Sequence, residues 1–135
     1  MDKKEDFKII KQFGPSILKV KIPENILIQI NNYVDSVIKD SELSSKLNYG
    51  NQLVGDVTQE IKLETNIMQT SGWGNFLSLC VGKWIATELG EKITKFNILE
   101  SWVVRQFKNE YNPIHWHSGH ISGAGFLKVP QVLGK

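Results

Sequence analysis

Phe96-Asn97-Ile98-Leu99-Glu100-Ser101-Trp102-Val103-Val104-Arg105-Gln106-Phe107 is the stretch on which the fold turns. Phe96, Ile98, Trp102 and Val104 alternate with Leu99, Ser101, Val103 and Arg105. That period of two predicts one long strand ending near Phe107. Asn109-Glu110-Tyr111-Asn112-Pro113 reads as the turn that follows. Two further strands are expected, one over His115-Trp116-His117-Ser118-Gly119-His120 and one over residues 121–129. Strands late in the chain and helical patterns before them predict an α+β layout, helices packed on an antiparallel sheet.

Upstream, residues 7–13 mix apolar side chains with Lys8 and Lys11 and read as a strand, broken at Gly14-Pro15. In residues 16–22, Leu18, Val20 and Ile22 alternate with Lys19 and Lys21, the pattern of a half-exposed edge strand. Pro23 opens a helix, because its missing N–H is not needed in a first turn. Ile26, Leu27, Ile30, Val34 and Ile38 form its core-facing stripe. Residues 40–51 read as a polar loop, and residues 52–63 fit either a short helix or a strand. After a turn at Ser71-Gly72-Trp73-Gly74-Asn75, a second helix carries Phe76, Leu77, Cys80, Val81, Trp84, Ile85 and Leu89, with Gly90 as its C-cap. Its broad apolar stripe predicts packing against a sheet. No repeat, low-complexity tract or linker interrupts residues 1–135, so one domain is expected.

The chain has 135 residues, 41% hydrophobic and 22% charged, which fits a globular protein with a true core. A net charge of +2 with dispersed lysines argues against a nucleic-acid partner. The single cysteine, Cys80, excludes an internal disulfide framework and a Cys-based zinc module. Its apolar setting predicts a buried small hydrophobe. The charged start, residues 1–6, has no apolar run behind it, and no stretch reaches membrane-spanning length. A cytoplasmic location is therefore expected, with no membrane partner.

All three histidines fall in one six-residue window. Imidazole is the commonest protein ligand for transition metals. On a strand, alternate side chains share a face, so His115 and His117 would point the same way and share an ion. His120 is three residues from His117 and would face the other side. Ser118 and Ser122 lack a partner base, and Gly119, Gly123 and Gly125 are not followed by the Lys of a phosphate loop. Arg105 and Lys128 read as solvated charges.

Three runs together carry a resemblance: Trp102-Val103-Val104-Arg105-Gln106, Tyr111-Asn112-Pro113-Ile114-His115-Trp116-His117-Ser118-Gly119, and Ile121-Ser122-Gly123-Ala124-Gly125-Phe126-Leu127-Lys128-Val129-Pro130. The chain resembles the 2-oxoglutarate/Fe(II)-dependent oxygenases related to prolyl 4-hydroxylases, as found in marine phage and bacteria. The likeness extends more weakly through Tyr49-Gly50-Asn51, Leu53-Val54-Gly55 and the Glu60 region. It implies a double-stranded β-helix (jelly roll) with N-terminal helices on its major sheet. It implies Fe(II) and 2-oxoglutarate as cofactor and small-molecule cosubstrate, and hydroxylation of an unidentified substrate.

By this resemblance His115 and His117 are metal ligands, with His117 where the superfamily has Asp, and Ser122 or Lys128 lines the pocket. No His follows His120 and no Arg follows Arg105. The distal His ligand and the Arg that binds 2-oxoglutarate are therefore expected to be missing. That predicts a jelly roll incomplete at the C-terminus, either the N-terminal part of a longer product or a shortened relative that no longer catalyses, and a chain inactive on its own. A half-barrel leaves an uncovered face, so a homodimer is expected. Two alternatives stay open. One is a non-enzymatic metal-binding or dimeric assembly domain using His115, His117 and His120. The other is a remnant whose histidines do nothing specific.

Overall fold

A computed structural model describes residues 7–11, 13–50 and 54–133. The charged start, part of the expected 40–51 loop, and the expectations on Asn51, Gln52 and Leu53 lie outside the described residues. The chain begins with a hairpin, β1 (Phe7–Ile10) and β2 (Ile17–Val20), antiparallel with Phe7 opposite Val20 and Ile10 opposite Ile17. Ile17 and Lys19 are exposed and Leu18 and Val20 half-buried, so the expected alternation holds.

Helix α1 (Glu24–Lys39) starts immediately after Pro23, whose carbonyl takes the N–H groups of Ile26 and Leu27 at 3.1 Å each. Ile26, Ile30, Val34 and Val37 are its buried residues. Leu27 and Ile38, expected in the stripe, are only half-buried. The stripe turns toward Val37 because a second helix covers that end. This helix, α2 (Ser41–Leu47), forms where a polar loop was expected. Asp40 caps it, its Oδ1 accepting from the N–H of Glu42 at 3.1 Å and of Leu43 at 3.0 Å. Such a cap satisfies donors that the first turn would otherwise leave open.

Strand β3 (Gln59–Lys62) resolves the ambiguous stretch as strand, and it pairs with β4 (Trp102–Arg105) antiparallel. The register sets Gln59 against Arg105, Glu60 against Val104, Ile61 against Val103 and Lys62 against Trp102. The long strand expected from Phe96 to Phe107 is thus only four residues. β3 offers a partner of equal length, and beyond it just one more backbone bond forms near this end, Leu63 N–H to Ser101 O at 2.9 Å.

Between these strands lie α3 (Thr65–Thr70) and α4 (Trp73–Leu89), divided at Gly72, whose φ of 78° is the left-handed conformation that glycine adopts freely. Gly90 ends α4 at φ 68°, as expected for its C-cap. α4 lies beside the first hairpin, where the Trp84 indole donates to the Ser16 hydroxyl at 2.9 Å. None of its residues is fully buried.

The core lies between α1 and the β3–β4 sheet. Ile26, Ile30, Val34 and Leu63 form one cluster, with Val103, Trp73 and Leu127 packed on it; Val37, Leu47 and Ile61 form the other. Each such aliphatic side chain contributes about 1.5–3 kcal/mol by leaving water. The architecture is α+β, with two two-stranded antiparallel sheets. Among the described residues, the strands expected over the histidine window and over residues 121–129 do not form, and no jelly roll is built. A strand exists only where a neighbour completes its hydrogen bonds. Outside the named strands, the described chain offers two isolated bridges, Asn48 to Ile61 and Asp56 to Tyr111. Among the described residues, no helix is long and apolar enough to cross a membrane.

Candidate metal centre

The β3–β4 sheet has two unlike faces. Ile61 and Val103 join the clusters under α1 and α2. Side chains alternate along a strand, so their neighbours Glu60, Lys62, Trp102 and Val104 point away from the helices. The histidine window lies on that second face: the His117 ring stands 5.8 Å from the Trp102 ring, centroid to centroid.

The path to the window is pinned by the turn before it. Glu110 accepts from the Thr58 hydroxyl at 2.6 Å, the Thr58 N–H at 3.2 Å and the Phe107 N–H at 2.8 Å. These donors, the Thr58 hydroxyl first, hold its carboxyl below the usual range. Asn109 takes a left-handed φ of 70° in the turn. The Asp56 N–H then meets the Tyr111 carbonyl at 2.9 Å. Together these bonds fix where Pro113 emerges.

Pro113 orients the first histidine. Its carbonyl lies 2.6 Å from Nδ1 of His115. A carbonyl only accepts, so Nδ1 carries the proton and the lone pair of neutral His115 sits on Nε2. That Nε2 is 3.0 Å from Nε2 of His117, and the two rings meet edge to face at 4.6 Å. Two imidazoles therefore converge through the nitrogens that would bind a metal, one held by an outer hydrogen bond of the kind metal-ligating histidines use. The convergence expected for His115 and His117 is present, though strand geometry does not produce it: neither residue is in a strand. His120 is exposed and lies outside this ring pair.

One buried carboxylate of the sheet was not among the residues singled out from the sequence. Glu60 is 1% exposed, and its Oε2 is buried without a hydrogen-bond partner. Burial pushes its carboxyl above the usual range. The backbone of Glu60 is engaged, its N–H with Asn48 Oδ1 at 3.1 Å and its carbonyl with the Tyr49 N–H at 2.8 Å. Alternation with Ile61 was the available signal for Glu60, and the strand-or-helix ambiguity of residues 52–63 hid it. Among the described residues, no three His, Cys, Asp or Glu side chains stand close enough to enclose an ion as they are.

The remaining expectations fall elsewhere. Arg105 is half-buried, not solvated: it donates to Gln59 Oε1 at 2.6 Å and stacks 5.4 Å from the Phe107 ring centre. Lys128 pairs with Asp35 of α1 at 3.0 Å, which ties the C-terminal stretch to the helix rather than to the histidines. Ser122 is exposed. Cys80 is half-buried, and burial raises its thiol against the opposing effect of Lys83, which suits an inert side chain. Comparison with known proteins finds no family model, no curated protein and no solved structure that matches the chain.

Proposed function

We propose that the chain is an Fe(II)/2-oxoglutarate-dependent oxygenase, a prolyl 4-hydroxylase-like hydroxylase, with iron held by His115 and His117. One observation carries this reading: the two Nε2 atoms face each other at 3.0 Å while Pro113 fixes the His115 tautomer. Bound Fe(II), with 2-oxoglutarate and O₂, supplies the oxidising power for C–H hydroxylation. His115 and His117 would hold the ion, and Trp102 would shield the His117 side from water. Lys62, on the same face as Trp102, donates to the Tyr49 hydroxyl at 3.2 Å and would be the cation offered to a carboxylate of the cosubstrate. His117 in place of a carboxylate removes one negative charge beside the iron.

The same proposal includes part of a jelly roll, in which α1 and α2 cover one face of the β3–β4 sheet and the histidines occupy the other. It also includes a cytoplasmic setting, where a single free thiol stays reduced. The test is anaerobic Fe(II) titration of the metal-stripped protein by calorimetry, followed by succinate formation from 2-oxoglutarate. His115→Ala and His117→Ala are expected to abolish iron binding. Unchanged metal content in both variants would overturn the reading.

A second reading, a non-enzymatic metal-binding or dimeric assembly domain, is favoured by a different observation. Ile114, Trp116 and Phe126 are among the large apolar side chains left in water. A homodimer that covers them fits either reading. Metal binding without succinate formation, in a protein dimeric by light scattering, selects the second. A monomer at all concentrations removes the dimer from both.

A further inference from the structure

We propose that the β1–β2 hairpin is a contact surface for an anionic membrane, which it meets with its lysines and its apolar tip. The register sets Lys8 directly opposite Lys19 and Ile10 opposite Ile17. Side chains alternate along each strand, so these four share one face of the hairpin. Lys8, Ile17 and Lys19 are exposed, and the next residue in the alternation, Lys21, is exposed too. On the other face Ile9, Leu18 and Val20 are half-buried. Lys11, two residues beyond Ile9, turns to Glu88 of α4 at 3.7 Å, so α4 stands on that side and the lysine face looks outward. Like charges directly opposite in a sheet repel, with Cβ atoms about 5 Å apart. Among the described residues, the ion pairs are Lys11 with Glu88 and Lys128 with Asp35, and neither Lys8 nor Lys19 has a carboxylate partner. An anionic surface laid on this face would relieve that repulsion.

The apolar groups on the hairpin select a bilayer among anionic partners. Phe13, at the tip, is 99% exposed, and a Cβ on the neighbouring Gly14 would meet nothing within 4 Å, so the tip stands clear of the rest of the chain. Ile17, 63% exposed, follows on the lysine face itself. Cations and apolar side chains on one surface suit the headgroup boundary, where basic groups meet lipid phosphates and apolar ones sink toward the acyl chains. A nucleic acid would engage the lysines but leave Ile17 without a partner, and it would find a single ring at the tip to stack on. The lysines are dispersed along the sequence, and strand pairing is what gathers them. The expectation of no membrane partner rested on spanning length, which a surface contact does not require.

The experiment is co-sedimentation of the full chain with vesicles of phosphatidylcholine containing phosphatidylserine, and with vesicles of phosphatidylcholine alone, at low and at physiological salt. Wild type is expected to bind the anionic vesicles, to bind the neutral ones far less, and to be released as salt rises. Lys19→Glu sets opposite charges across the hairpin, so its melting temperature should hold or rise. Its affinity for anionic vesicles should nevertheless fall by about 25-fold, two charge units at about five-fold each. Phe13→Ala should weaken binding by about 10-fold at either salt concentration, and it decides the case if Lys19→Glu does not fold. Lys39→Glu, at the opposite end of α1, makes the same change in net charge and should bind as wild type does. Equal losses in Lys19→Glu and Lys39→Glu would reduce the effect to net charge and overturn the proposal. So would equal binding to both kinds of vesicle, or binding to neither. Retention of a single-stranded oligonucleotide without retention of anionic vesicles would overturn it as well, and would assign the lysine face to nucleic acid.

Discussion

Helix α1 and the segment of residues 112–130 are both studded with large apolar side chains, and they meet opposite fates. α1 hides Ile26, Ile30, Val34 and Val37 against β3, β4 and α2. The later segment leaves Trp116 85% and Phe126 81% exposed, and among its large apolar residues Leu127 is the one that packs on the core. The difference is one of partners. A helix satisfies its own backbone and needs only a surface for its stripe. An extended segment needs a neighbouring strand for its backbone before its side chains can be buried. α4 makes the same point from the other side: it is a complete helix with a broad apolar surface, yet too little chain stands against it to bury any residue fully.

The strongest way to break this comparison is a pair of truncations. Ile30→Ala should cost about 2–5 kcal/mol in urea unfolding, because it opens a cavity in a packed core. Trp116→Ala should change monomer stability by less than about 0.5 kcal/mol. An equal loss in both would mean that the exposed segment is covered in solution, and light scattering on Trp116→Ala would then show a dimer dissociating. Asp40→Ala comes next, at about 1 kcal/mol, since it removes the cap of α2; a neutral result in thermal unfolding would show that Leu47 alone holds that helix.

The site sharpens the contrast further. Glu60→Gln is expected to raise the melting temperature of the metal-free protein, because it removes a buried carboxylate with an unpartnered oxygen. A fall in differential scanning calorimetry would assign Glu60 a bond that its present surroundings do not provide. The smallest effect concerns the turn. The Glu110 carboxyl is held below its ordinary value, so its contribution to stability is present above the ordinary carboxylate range and is lost as pH falls through the depressed folded value. Acid titration should therefore loosen the Thr58–Glu110 contact first in wild type, and Glu110→Gln should flatten that response. An unchanged acid limb would show that the Asp56–Tyr111 bridge holds the turn without it.

Much of the helical half was legible because its signals are local. Pro23, the spacing of Ile26, Ile30 and Val34, and Gly90 each act within a turn or two of chain. The Asp40 cap was also local, yet it introduces a helix with only Leu43 and Leu47 as apolar residues, too few to reveal a period. The histidine pair was legible from its two-residue spacing, although no strand brings the rings together. A shared strand face was expected, and a bend held by the Pro113 carbonyl brings the rings together instead.

By itself, then, the sequence determined where α1 starts, where α4 stops, and that two imidazoles two residues apart are available to one ion. Tertiary structure decided the rest. It cut a twelve-residue alternating pattern to the four residues of β4, left the later expected strands unpaired, and turned Glu60 to the face where the histidines lie. The physical reason is common to all three. Helix signals are completed by bonds a few residues away, whereas strand length, strand face and ligand sets depend on partners tens of residues distant. Periodicity in one segment does not specify those partners.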